Sequence, residues 1–166
     1  MPFSYDDCVH KGLLRKIPPS KDKAARSLKK AQKWLKEAQN TARSGASNSS
    51  VLASYMVMFH AARAILFRDG FRERSHACIG RYLEERYAKK KLLEGGWIEL
   101  FDHHRQVRHD DQYDLSFFST KEEADLDFEL EGSLYCPTRA ATLYEGQLGD
   151  QTNQKGNSER ATSWQL

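Results

Sequence analysis

Residues 50–70 read "SVLASYMVMFHAARAILFRDG". Leu52, Tyr55, Met56, Phe59, Ala62 and Leu66 recur at steps of three and four, so they share one face of a helix. The spacing predicts a helix from about Ser50 to Arg68, stopped by Asp69-Gly70, because glycine readily takes the left-handed conformation that ends a helix. Ala61, Ala62 and Ala64 are small enough to let a neighbouring helix approach closely.

Upstream, "IPPS" at 17–20 breaks the chain and offers Ser20 as an N-cap. Leu28, Ala31, Leu35, Ala38 and Ala42 then form one apolar stripe as far as Arg43, and "SGASNSS" at 44–50 punctuates it. Downstream, "FRERS" leads to a third helix over about 76–90, capped by Ser75. "LLEGG" precedes a fourth helix from about Trp97. Ser119 or Thr120 can cap a fifth, whose apolar residues follow no clear helical period and which Pro137 interrupts. An all-α fold is expected, an antiparallel bundle of four to five helices. It would span residues 20–145, with an N-terminal extension over 1–19 and a polar, disordered tail over 146–166.

Composition narrows the class. Of the 166 residues, 39% are apolar and 30% charged, which suits a single soluble domain. No run of about 20 apolar residues is read as a membrane span, and no membrane partner is expected. Cys8, Cys78 and Cys136 are odd in number and widely spaced. They suggest a reducing, cytoplasmic setting, with Cys78 as small core filler. Residues 11–43 hold eleven Lys/Arg against Asp22 and Glu37, whereas 121–131 hold six Asp/Glu against Lys121. The basic segment is either a nucleic-acid footprint or a solvated helix face leaning on the acidic one. No Gly-rich phosphate loop, Ser-His-Asp arrangement or Cys cluster is present, so neither a cofactor nor a metal is expected.

The densest chemistry lies in "HHRQVRHDDQYD", residues 103–114. On a helix His104 and Arg108 share a stripe, and Arg105 and His109 share the adjoining one. Arg108 is either a phosphate-binding group or the ion partner of Asp111 or a buried carboxylate. His60 and Arg63 read as a structural pair. His76 either caps the third helix or binds an anion at its start.

Several of these elements in order resemble the HEPN domain family (higher eukaryotes and prokaryotes nucleotide-binding). They are Tyr55, Phe59-His60-Ala61-Ala62-Arg63, Gly70, Arg74-Ser75-His76, Arg108 and Tyr113-Asp114. The resemblance covers about residues 20–130. It implies a helical bundle, commonly a homodimer, working beside a small nucleotidyltransferase in a prokaryotic two-component, toxin–antitoxin-like system, and binding RNA or a nucleotide. Some members cleave RNA with an Arg followed, after four to six residues, by a His. Here Arg108 is followed by Tyr113 instead, and a phenol with a pKa of about 10 exchanges protons poorly near neutrality. The catalytic candidates are therefore Arg108, His109 and Tyr113, and the nucleotide- or RNA-binding candidates His76, His104, Arg105 and Arg108. The alternatives are an active metal-independent ribonuclease toxin and a structural interaction module. The breadth of apolar surface, including Met56, Met58, Phe59, Trp97 and Phe101, leads to the expectation of a homodimer through the second and fourth helices.

Overall fold

The computed structural model describes residues 3–93 and 95–120. The fifth helix expected beyond Thr120, Pro137 and the polar tail lie outside the described residues. The elements run α1 (Tyr5–His10), β1 (Leu14–Lys16), α2 (Lys21–Arg43), α3 (Ser47–Asp69), β2 (Phe71–Glu73), α4 (Ala77–Leu83) continued by a π-helical turn (Glu84–Ala88), and α5 (Gly95–Tyr113).

α2 and α3 form an antiparallel pair, and two hydrogen bonds set their register. Ser27 Oγ donates to the His60 carbonyl at 2.8 Å, and Ser50 Oγ to the Ala38 carbonyl at 3.4 Å. Ala24, Ser27, Ala31 and Ala38 are the buried residues of α2, a seam of small side chains that permits close approach. Ser20 caps α2 by accepting the Lys23 N–H at 3.2 Å.

α3 is buried on two sides. Its small residues meet α2. Tyr55, Met58, Phe59, Ala62, Ile65 and Leu66 join Ile79, Tyr82, Leu83, Ile98 and Phe101 in the main core. A helix apolar all round is a buried helix. By length and composition α3 could cross a membrane, contrary to the expectation that no run would qualify, but most of that apolar stretch is buried inside the protein.

Gly70 closes α3 with φ 79°, the left-handed stop expected of it. A Cβ there would lie 2.8 Å from the Ile17 carbonyl oxygen, so close backbone approach adds to the conformational demand.

The all-α class is borne out, with one short addition and three corrections. The addition is a ribbon in which β1 and β2 pair antiparallel, with Leu14 opposite Glu73 and Arg15 opposite Arg72. Three-residue strands carry too little alternation to be read from sequence. The first nineteen residues do not hang outside the bundle. Ser4 and Asp7 make a capping box on α1, and Cys8 and Leu14 are core residues. Cys8 and Cys78, 70 residues apart, form a disulfide with Cα atoms 5.7 Å apart. That pairing removes the cysteine argument for a reducing compartment and the reading of Cys78 as mere filler. Finally, α4 begins at Ala77 after His76 with no side-chain cap, so neither Ser75 nor His76 plays that part.

The π-helical turn orders the far end of the core. Tyr82 and Tyr87 both donate to Asp69 Oδ2, and Arg68 donates to Asp69 and to the Tyr87 hydroxyl. Burial pushes both phenols above their ordinary pKa, so they remain donors. The apolar set expected to form a dimer face is largely consumed here: Met58, Phe59 and Phe101 are buried within the chain.

Candidate functional site

His76 sits in the turn between β2 and α4, where the polar residues of α3 and α5 meet. Its Nδ1 is 2.5 Å from the Tyr55 hydroxyl, and its ring stacks on Tyr55 and lies 4.3 Å from the Phe59 ring centre. Tyr55 is fully buried. Burial raises its phenol pKa despite the opposing charges of Arg108 and Arg105, so the hydroxyl keeps its proton. That proton needs an acceptor, and His76 Nδ1 is the one within reach. The imidazole then carries its own hydrogen on Nε2 and is a donor there. Burial first, then the charges of Arg108, Arg63 and Arg105, lower the His76 pKa, so the ring is neutral at pH 7.

Arg108, on α5, lays its guanidinium over the Tyr55 ring at 5.3 Å, a cation–π contact. Its Nη1 donates to the neutral Gln112 Oε1 at 2.8 Å. Its Nε is buried and makes no hydrogen bond among the described residues. The expected tie to Asp111 does not form: Asp111 accepts from Ser119 at 3.2 Å.

The neighbouring arginines are compensated. Arg63 Nε is 2.8 Å from Glu73 Oε1, an ion contact whose N–H is not aligned for a hydrogen bond, and its guanidinium rests over Phe59 and Phe67. Arg63 therefore does not pair with His60. The latter is held through Ser27 on α2, with burial as the main cause lowering its pKa to about 4. Arg105 makes a longer contact of 3.4 Å with Asp102, which is also 3.5 Å from Arg81.

Three sequence candidates thus converge: His76, Arg105 and Arg108. Three others stand apart. His104 is 2% exposed and turned into the core. His109 is exposed, with its Nδ1 3.4 Å from Asp110 and its ring against that of Tyr113, which is 68% exposed. The sequence reads Tyr55, Phe59 and Arg63 as helix-face, motif or structural residues and not as members of the site. The available signal was their spacing: positions 55, 59 and 63 lie one above another on a helix, so a phenol and a guanidinium share one side of an apolar segment.

Among the described residues no three His, Cys, Asp or Glu side chains converge as a metal would require. A cleft of about 570 Å³ lies elsewhere, against the π-helical turn. Arg81 and Glu84 in its wall pair with each other, and none of the site residues lines it.

The arrangement offers guanidinium and imidazole donors in a partly dry setting, with Arg108 lacking a carboxylate partner among the described residues. It can bind an anion, a planar oxyanion or phosphate best. A family model described as HEPN domain matches residues 24–126, which holds every residue of this site. Searches of curated proteins and of solved structures found no match. With most of its length covered by that model and its helices arranged as a bundle, the chain belongs to the HEPN domain family.

Proposed function

We propose that this HEPN domain binds the phosphate of RNA or of a nucleotide at His76, Arg105 and Arg108, as a homodimer acting beside a small nucleotidyltransferase in a two-component, toxin–antitoxin-like system. The supporting observation is Arg108. A half-buried guanidinium has lost part of its hydration, and a neutral amide replaces that poorly. An incoming phosphate would supply the missing charge.

The proposed homodimer draws on apolar side chains that lie beyond Arg108 along the chain. Tyr113, Leu115 and Phe118 are exposed, Leu115 at 98%. A second copy covering them would bring two Arg108 sites near one interface. Sedimentation at tens of micromolar is expected to show a dimer, and Leu115→Asp with Phe118→Asp to shift it to monomer. A monomeric wild type removes this part of the reading.

Arg108→Ala is expected to fold normally, since no carboxylate is stranded by it, and to weaken RNA or nucleotide binding by about 1–3 kcal/mol. Arg108→Lys restores part of the loss, because an ammonium lacks the two-pronged planar contact. Thermal stability and binding are measured on the same samples. Unchanged affinity in a folded Arg108→Ala protein ends the proposal.

A second reading, metal-independent RNA cleavage, is favoured by one observation. His76 supplies beside Arg108 the imidazole that the linear Arg-to-His spacing lacks. Neutral at pH 7, it would take a 2′-hydroxyl proton only by releasing the Tyr55 hydrogen bond at Nδ1, after which the imidazolium could protonate the leaving oxygen. RNA degradation by pure protein, lost in His76→Ala and in Arg108→Ala, is the distinguishing result.

A further inference from the structure

We infer that the outward face of the β1–β2 ribbon is a second contact surface, one that grips the backbone of a single-stranded RNA whose phosphate occupies the Arg108 site. The inference rests on the binding reading above and extends it to the class and length of ligand.

The observation is a pairing that works against stability. Arg15 and Arg72 are directly opposite each other in the ribbon and both are exposed. Opposed residues on antiparallel strands hold their Cβ atoms about 5 Å apart, and like charges there repel. Neither arginine has a carboxylate partner among the described residues. On the other face Leu14 and Phe71 enter the core and Glu73 turns inward to Arg63, with Lys16 exposed at the ribbon's end.

Arg74 continues the pattern. Its N–H donates to the Leu13 carbonyl at 2.8 Å, prolonging the ladder, and it is exposed like Arg72 two residues before it. Three guanidiniums thus stand on one short ribbon, whose acidic residue, Glu73, is turned inward to Arg63. Such a fork-shaped cluster matches phosphate oxygens better than it matches any group the chain itself supplies.

Position gives the surface its ligand. Arg72 is four residues before His76, so the two are separated by no more than about 14 Å of chain. That limit puts the ribbon within reach of the neighbouring phosphates of an oligonucleotide held at His76 and Arg108, whereas a nucleoside monophosphate has its one phosphate there and none left for the ribbon. Phosphates on the ribbon add affinity by releasing counterions and carry no base preference.

The test compares a mononucleotide with a short single-stranded RNA on wild type and on the double variant Arg15→Gln, Arg72→Gln. The variant is expected to keep its melting temperature or raise it, since a repulsion is removed. It should bind the mononucleotide as wild type does. It should bind the oligonucleotide about tenfold more weakly at low salt, with the dependence of log affinity on log salt reduced by about one to two. Wild-type oligonucleotide affinity and salt dependence in the variant overturn the ribbon surface while leaving the Arg108 site standing. A marked loss of stability overturns it too, by making the pair structural. Failure of wild type to bind either ligand overturns both.

Discussion

Breaking the Cys8–Cys78 disulfide is expected to lower the free energy of unfolding by about 4 kcal/mol. The bond joins residues 70 apart in the chain. Closing a loop of that length removes much of the freedom of the unfolded chain, and the chain-entropy relation gives about 4 kcal/mol at 25 °C. The native side of the balance acts in the same direction. Both sulfurs are fully buried, and the bond fastens α1 to the start of α4. A domain of this size has a net stability of roughly 5–15 kcal/mol, so the loss would be a large part of it. Denaturant titrations with and without reductant, and of Cys8→Ala with Cys78→Ala, measure it. Alkylation of the unfolded, unreduced chain should modify Cys136 alone. Equal midpoints in the two states, with the bond confirmed by mass, would remove the stabilising role.

Acidification from pH 7 to pH 4 is expected to destabilise the fold by several kcal/mol. Burial holds His104 and His60 to pKa values of about 4, against about 6.5 in an unfolded chain. Between those values the unfolded state binds protons that the folded state refuses. Stability is therefore full above pH 6.5, falls as the pH drops, and stops falling on this account below about 4. At 1.36 kcal/mol for each pH unit, His104 alone contributes on the order of 3 kcal/mol. His76, also lowered, acts in the same direction. Asp102 acts in the opposite one. Burial raises its carboxyl pKa, so it takes up a proton more readily when folded and offsets part of the loss toward pH 4 and below. Urea titrations across this range provide the check, with His104→Phe expected to flatten the curve. A wild-type stability independent of pH between 6.5 and 4 would contradict the burial of these rings as neutral groups.

Much of the bundle was legible because long helices repeat their signal. Ser20, Gly70 and the alanine stripe of α2 stand where periodicity and capping place them. The β-ribbon and α1 were not legible, because three- and six-residue elements repeat nothing. They are held by partners distant in sequence, the β2 backbone for β1 and Cys78 for Cys8. The candidate site was half legible for the same reason. Arg105 and Arg108 stand out on one helix, but Tyr55 gains its meaning from His76, 21 residues away. No spacing rule links a phenol in the middle of α3 to an imidazole after β2.

The two-sided burial of α3 bears on how such a chain can change length. Deleting one residue from its middle would turn everything beyond by about 100°. The alanines would then point at the aromatic core and Tyr55 away from His76 or the far end away from α2, so no single compensating substitution restores both contacts. Length variation is thus confined to places that carry no such double duty, the Ser44–Ala46 corner and the stretch between Lys89 and Leu93. A library of single-residue insertions should survive there and fail throughout α3, leaving in the pattern of survivors an outline of the helix that the rest of the protein is built around.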